Sequence, residues 1–313
     1  MKVGLITGFG GLGDKSFNDM QYNGLLLAKN IYNIETQYFT PKSFDDIETY
    51  TQVLIDNGFN IIIIGEGYIG QKILDKFAIR YPEVKFVVLD ALIEKLYNNC
   101  AAILFKQNEG SFLAGVLAAM ITKKNKAGFI GAANVDVIND FFTGFQQGVN
   151  YIKPICKVEL DYISNYVKDF EKVWNSPFES YKIAKKMITE KDVDIIFAVA
   201  AGSNIGIFNA CRDYSIFSIG VDIDQDYIIP GVIITSVLKN LDQAIVYIIG
   251  KVIKNDFESK VYYLGLKENG VGLSPMLYTK NVIGEEIIEH LAKLQQEIIE
   301  GKIIVKSIFD KKY

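Results

Sequence analysis

Residues 8–19 have the sequence Gly-Phe-Gly-Gly-Leu-Gly-Asp-Lys-Ser-Phe-Asn-Asp. This glycine-rich stretch follows the apolar run 3–6 and precedes a helical pattern that begins at Phe17. Its first six residues match G-x-G-x-x-G, the pattern of dinucleotide-binding βαβ units. Glycines let a chain leave a strand with unusual torsion angles and leave room for a ligand. The stretch therefore predicts a strand–loop–helix unit with a small ligand at the loop.

Short β-rich runs alternate with helical patterns along most of the chain, which predicts an α/β protein with right-handed crossovers. The continuous apolar runs 61–64 and 86–89 are typical of parallel strands buried on both faces. The predicted strands are 2–7, 35–39, 61–64, 85–89, 101–105, 127–131, 157–160, 194–199, 215–221 and 232–236. The predicted helices are 17–29, 44–57, 70–81, 111–122, 140–151, 180–189, 204–212, 241–254 and 285–300.

The alternation restarts after about residue 106 and shifts again near residue 239. We therefore expect two similar lobes joined by several chain crossings. The N-terminal lobe comprises residues 1–106 and about 239–270, and the C-terminal lobe comprises residues 107–238 and about 271–313.

Composition excludes several classes of function. A net charge of -4 gives no electrostatic footprint for nucleic acid. One His and three well-separated Cys do not form an ordinary zinc site, and His290 lies among apolar residues of a predicted helix. The sequence contains no paired acids or activated nucleophile in a catalytic pattern, so we expect a non-enzyme with no cofactor and no metal.

The sequence contains no apolar span of 18 residues and no leader with a basic and then an apolar segment. We therefore expect no transmembrane segment. Two locations stay open, a cytosolic protein and an exported protein whose export segment has been removed.

The dinucleotide interpretation lacks its second element, an acidic residue about 20 positions further on that binds the ribose. The second predicted strand ends in residues 37–41, which contain no carboxylate. Asp45 and Asp46 come later and suit the first turn of the next helix. An NAD-dependent enzyme therefore stays only as an alternative. Ser16 is the predicted N-cap of the first helix, with Asp19 completing a variant capping box.

Residues 10–18 resemble the GG-x-x-DKSFN signature of the basic membrane protein family. These proteins are substrate-binding lipoproteins of ABC transporters, and they include purine nucleoside receptors. Similar segments follow in order at 108–115, 128–131, 142–148, 196–203, 220–225, 235–239 and 269–273. The resemblance implies a type I periplasmic-binding-protein fold, in which two doubly wound α/β lobes hold a ligand in the cleft between them and several crossings act as hinges.

The same resemblance implies a function in transport. We expect a monomer that binds a nucleoside, with a purine as the expected base, and passes it to an ABC permease. The expected location is the cell envelope, lipid-anchored or periplasmic. A cytosolic regulator that senses a small molecule through the same fold is the alternative.

In the family's nucleoside receptors, two aromatic rings sandwich the base. The motif match makes Phe17 one ring and Phe197 the other. Stacking of a base on an aromatic ring contributes ~1–3 kcal/mol and tolerates different bases. Trp174, in a predicted loop, is a further ring that we consider.

Polar residues from both lobes hold the base edge and the ribose in these receptors. Carried over, Asn18 binds the base edge, Asp222 binds a ribose hydroxyl, and Lys239 reaches the same sugar. Asp90 also follows a predicted strand and is a further ligand candidate. Gly202 is expected to let the backbone approach the ligand closely.

One position departs from the family pattern, in which Asp follows the Thr at the end of the first strand and reads the base. This chain has Thr7-Gly8 instead. Either another residue replaces that Asp, or the base preference differs, or the ligand is not a purine nucleoside. Asp19 is the sequence's candidate for the replacement.

Overall fold

The computed structural model describes residues 1–311 as two compact units. Unit 1 comprises Met1–Phe105 and Asn240–Leu264. Unit 2 comprises Lys106–Lys239 and the described residues from Gly265 onward. The chain therefore passes from one unit to the other after Phe105, after Lys239 and after Leu264.

Each unit contains a six-stranded sheet. The strands are β1 Lys2–Ile6, β2 Glu35–Phe39, β3 Ile61–Ile64, β4 Lys85–Leu89, β5 Cys100–Phe105, β6 Lys126–Gly131, β7 Lys157–Tyr162, β8 Ile195–Val199, β9 Phe217–Asp222, β10 Ile233–Lys239, β11 Val261–Leu264 and β12 Val271–Leu273. The helices are α1 Phe17–Tyr32, α2 Phe44–Asp56, α3 Gly70–Phe77, α4 Gln107–Ile121, α5 Asp136–Ile152, α6 Pro177–Lys191, α7 Asn204–Asp213, α8 Leu241–Ile253, α9 Lys280–Ile283 and α10 Glu285–Ile299.

The sheet of unit 1 has the strand order β11-β5-β4-β3-β1-β2, and its strands pair in parallel. The four isoleucines of β3 are fully buried, as the continuous apolar run predicts for a strand covered on both faces. Strand order reverses between β1 and β3. In open α/β sheets a ligand binds outside the carboxyl ends of the strands at such a switch point.

The sheet of unit 2 has the order β12-β10-β9-β8-β6-β7, with the same reversal between β6 and β8. Its strands pair in parallel except for β12, which runs antiparallel to β10. The sequence did not predict β11 or β12, which have four and three residues and lack the continuous buried apolar run that marks β3.

Helices α4 and α5 of unit 2 pack backbone against backbone. A Cβ added to Gly148 would lie 2.0 Å from the carbonyl oxygen of Phe112, and one added to Gly144 would lie 2.1 Å from that of Asn108. Both distances are far inside van der Waals contact. The two glycines therefore set how closely these helices approach.

Within residues 1–311, none of the helices is both long enough and apolar enough to span a bilayer.

Candidate functional site

Two aspartates fold the loop between β1 and α1. The carboxylate of Asp14 accepts hydrogen bonds from the backbone N–H groups of Ser16 at 2.9 Å, Asn18 at 3.0 Å and Asp19 at 3.2 Å. Burial raises the pKa of Asp14. The Asp19 carboxylate in turn accepts from the N–H groups of Gly13 at 2.7 Å and Lys15 at 2.9 Å.

The predicted capping role of Ser16 is therefore wrong. The Ser16 side chain makes no capping hydrogen bond to α1, and Asp14 binds the first N–H groups of the helix instead. A carboxylate has two acceptor oxygens, so Asp14 holds several donors where a hydroxyl would hold one. Asp19 is occupied by the loop backbone, which argues against the prediction that it replaces the missing family Asp.

Asn18 joins the end of β1 to the loop. Its side-chain oxygen accepts from the N–H of Gly8 at 2.7 Å, and its amide nitrogen donates to Asp14 at 2.9 Å. The residue is buried, whereas Phe17 beside it is half-buried. The structure thus places a fixed amide and a partly accessible ring at the carboxyl end of β1.

Glu66 lies at the same edge, two residues after β3, and the sequence reasoning missed it. Its side chain is buried, and its Oε2 accepts from the N–H of Phe9 at 3.2 Å. The pattern that identified Asp90, an acidic residue just after a buried apolar strand, also applies to Glu66. Because Glu66 lies between Gly65 and Gly67, the local sequence predicts a turn residue and not a binding residue.

Asp90 follows β4 with a left-handed backbone, φ 61°. It is half-buried, and its N–H donates to the carbonyl of Ile103 at 2.8 Å. A Cβ on Gly67 would lie 2.9 Å from the Asp90 carbonyl oxygen, so the turns after β3 and β4 are in contact. Unit 1 therefore gathers polar side chains from the ends of three adjacent strands: Asn18, Glu66 and Asp90.

Unit 2 brings Asp222 and Lys239 together at the carboxyl ends of β9 and β10. Asp222 pairs in register with Leu238, the residue before Lys239. Both side chains are buried, and Asp222 has φ 67°. The Lys239 ammonium lies 5.3 Å from the centroid of the Phe141 ring, a cation–π distance.

The ring of Phe197 lies in the interior of unit 2. It is 0% exposed, with ring centroids 5.3 Å from Phe145, 5.4 Å from Phe129 and 6.2 Å from Phe141. A ring enclosed by three others presents no face for a base, which argues against the predicted stacking role. The sequence pattern could not predict that the Phe197 ring is enclosed. A parallel strand buried on both faces has no alternation of polar and apolar residues to show which side chains reach the surface.

Gly202 and Trp174 are neighbours in unit 2. Gly202 lies in a 3-10 turn after β8, and a Cβ there would be 3.3 Å from the Trp174 carbonyl oxygen. The close neighbour that Gly202 admits is therefore the backbone of the 170–175 segment. The Trp174 ring is half-buried and meets Phe170 edge-on, with centroids 5.8 Å apart.

The described residues were compared with the needs of a metal site and of a cysteine nucleophile. Within residues 1–311, no three His, Cys, Asp or Glu side chains come together as metal ligands. Burial raises the pKa of the Cys100 and Cys211 thiols to about 12, so neither is a thiolate at neutral pH. His290 is half-buried on α10, as expected for a structural residue.

The family model of PnrA-like ABC transporter substrate-binding proteins matches residues 2–308. The chain is 30% identical to basic membrane protein A2 of Borrelia garinii, over 97% of this chain and 88% of that protein. It is 29% identical to an uncharacterized lipoprotein of Pyrococcus furiosus, over 87% of this chain and 69% of that protein.

A solved structure of an ABC transporter solute-binding protein from Aeropyrum pernix K1 is also similar. Its TM-score is 0.85 at 26% identity, covering 99% of this chain and 95% of that one. The type I periplasmic-binding-protein fold expected from the sequence is confirmed.

Proposed function

Because the chain belongs to the family of PnrA-like ABC transporter substrate-binding proteins, we propose that the small molecule it delivers to its permease is a nucleoside. The family consists of solute-binding proteins and not enzymes. The observation that carries the proposal is the carboxyl edge of unit 1. There the half-buried Phe17 ring lies at the same sheet edge as the fixed amide of Asn18 and the carboxylates of Glu66 and Asp90.

These groups match the two kinds of contact that a nucleobase offers, one through its flat face and one through its polar edge. An aromatic ring stacks on the flat face of any base, whereas amides and carboxylates bind the donors and acceptors on its edge. We assign Phe17 to the face, and Asn18, Glu66 and Asp90 to the edge or the sugar. The sheet's switch point lies between β1 and β3, where three of the four stand.

From unit 2 we assign Asp222 and Lys239 to the ribose, because hydroxyl groups both donate to a carboxylate and accept from an ammonium. For the second ring we favour Trp174 over Phe197, since Trp174 is partly exposed and Phe197 is not. Gly202 supports this ring by admitting the Trp174 backbone. Alanine variants of Trp174 and Phe197 test which of the two residues supplies the second ring.

We also propose that the protein is a lipid-anchored monomer of the cell envelope. The Pyrococcus furiosus relative is named a lipoprotein, and the Borrelia relative a basic membrane protein. Expression of the full gene with a labelled fatty acid should put label and protein together in the membrane fraction. Unlabelled protein confined to the soluble fraction would refute the lipid anchor.

Isothermal titration calorimetry of the purified chain tests the proposed ligand. The chain is first unfolded in urea and refolded, which removes any ligand that co-purifies. It is then titrated with adenosine, guanosine, inosine, cytidine, uridine, ribose and NAD. A ligand at 100 times its Kd should also stabilise the fold by ~2.7 kcal/mol, which a thermal scan detects. Binding of ribose or NAD with no binding of any nucleoside would refute the proposal.

A further inference from the structure

We propose that Glu66 is a specificity-determining residue that selects bases presenting N–H donors, in the role that the family pattern gives to an Asp at position 8. The inference rests on the proposed function, because it assumes that a nucleoside is bound at this edge of unit 1. It concerns contacts within unit 1 alone.

The space around Gly8 supports the assignment. A Cβ added at position 8 would lie 3.2 Å from Glu66 Oε2 and 3.1 Å from Asn18 Oδ1. A side chain at position 8 would therefore press on the Glu66 carboxylate and the Asn18 amide oxygen unless these groups move by a few tenths of an ångström. The Glu66 carboxylate, supplied from the end of β3, thus lies close to where an Asp side chain at position 8 would begin.

The backbone gives no other reason for glycine at this position. Gly8 is absent from the glycines with positive φ, whereas Gly11 and Gly13 in the same loop have φ 69° and 89°. An L-residue at position 8 would not need a left-handed backbone, but its Cβ would crowd Glu66 Oε2 and Asn18 Oδ1. Gly8 and Glu66 therefore behave as a pair, in which the missing side chain at one position makes room for the longer one at the other.

A buried side-chain amide of α1 lies against the turn after β3 and has no hydrogen-bond partner among the described residues. Gln21 lies one turn beyond Phe17 in α1, is 0% exposed, and has its Oε1 only 2.0 Å from the position of a Cβ on Gly65. Neither amide atom of Gln21 has a hydrogen-bond partner in the part of the chain that the structure describes. Buried polar atoms are nearly always satisfied by protein, water or ligand, so an unmatched amide against Gly65, the residue before Glu66, points to a ligand or water at this turn.

The hydrogen-bonding capacity of the Glu66 carboxylate decides which bases it selects. An ionised carboxylate only accepts hydrogen bonds, and it can accept two side by side. Guanine presents adjacent N–H donors at N1 and N2, and hypoxanthine presents one at N1. Adenine presents a donor at N6 but an acceptor at N1, so it offers the carboxylate one hydrogen bond beside a repulsive lone pair. We therefore expect guanosine and inosine to bind more tightly than adenosine.

Calorimetry with Glu66→Gln tests this selection. The amide keeps the size of the side chain and an oxygen for the Phe9 N–H, but it presents a donor and an acceptor in place of two acceptors. Guanosine affinity should fall at least tenfold, adenosine affinity should change less than threefold, and the preference should shrink accordingly. Glu83→Gln is the matched control, because Glu83 is exposed and precedes β4 at the opposite end of the sheet.

A swap of the two positions supplies the second test and covers the case in which Glu66→Gln fails to fold. Gly8→Asp alone should abolish guanosine binding, because it forces a second carboxylate against Glu66. Gly8→Asp combined with Glu66→Ala should restore guanosine affinity to within about fivefold of the unmodified protein.

The outcomes separate the two proposals. If the unmodified protein binds no nucleoside, the proposed function falls and this inference falls with it. If it binds nucleosides but Glu66→Gln leaves the guanosine-to-adenosine ratio unchanged, the function stands and the role of Glu66 is refuted. Failure of the double variant to bind guanosine better than Gly8→Asp would also refute it.

Discussion

Phe17 is the residue on which the binding proposal depends most directly. Its ring is half-buried at the start of α1, and the loop that holds it is tied down by Asp14 and Asp19. Phe17→Ala should therefore remove a stacking surface without unfolding the loop. Since one base–aromatic stack contributes ~1–3 kcal/mol, we expect nucleoside affinity to fall about 5- to 150-fold in calorimetry. Phe178→Ala, which removes an exposed ring on α6, should leave affinity unchanged. Equal affinity of the two variants would remove Phe17 from the site.

Asp140 makes unit 2 sensitive to pH. It accepts hydrogen bonds from Gln107 Nε2, Ser307 Oγ and the Ile308 N–H, yet burial raises its pKa from 3.8 to about 6. A carboxyl whose pKa is higher in the folded state binds protons more readily there. Its contribution to stability is therefore fully present below about pH 4 and is lost as the pH rises through about 6.

Asp140→Asn removes that titration. The free energy of unfolding of the unmodified protein, minus that of the variant, should fall by on the order of 2 kcal/mol between pH 4 and pH 7. Urea unfolding at both pH values measures the difference. The exposed Asp56→Asn variant serves as the control. A difference that stays constant with pH would contradict the assignment.

Local sequence patterns predicted several of the residues that we propose for the site. The signature around Phe17 and Asn18, and the strand ends at Asp90 and Asp222, could be read because a short segment carries each signal. Glu66 was not predicted, because the role that we propose for it depends on Gly8, which is 58 positions away in the chain but adjacent in space. Phe197 was placed in the correct strand, but a strand buried on both faces does not record which neighbours surround each ring.

At the scale of elements, the close contact of α4 with α5 depends on glycines. The Cβ of Ala at position 148 would lie 2.0 Å from a carbonyl oxygen of α4, and neither backbone can move without moving its helix. Gly148→Ala should lower the free energy of unfolding by about 3 kcal/mol. Gly272→Ala is the control, because its Cβ would meet nothing within 4 Å. Similar urea midpoints for the two variants would contradict the close approach.

The start of α4 shows why helix boundaries are hard to predict from sequence. The sequence predicts a start at residue 111, whereas α4 begins at Gln107. Gln107 and Asn108 are polar and look like loop residues, yet both are buried, with hydrogen bonds to Asp140 and to the carbonyl of Val305. The groups that stabilise the first turn of α4 lie 33 and 197 positions away in the chain, so no local sequence pattern includes them.

At the scale of the molecule, unit 1 is completed by a distant segment. Helix α8 packs on α1 so closely that a Cβ on Gly24 would lie 2.8 Å from the Asp242 Cα, and β11 covers the edge of β5. A fragment of residues 1–105 lacks both elements and should show no cooperative thermal transition. The same fragment joined to residues 240–264 by a flexible Gly/Ser linker should regain one. Near-UV circular dichroism follows both, and a cooperative transition in the short fragment would contradict the role of the segment.

The three chain crossings also dictate the order of events during protein synthesis. As the ribosome makes the chain, β5 emerges early and its edge stays unpaired until residue 264 has been translated. By then all the strands of the second sheet except β12 already exist, each able to pair with the waiting edge. The β5 edge thus stays open while about half of the chain is synthesised, and an open sheet edge exposes a nascent chain to wrong strand pairing.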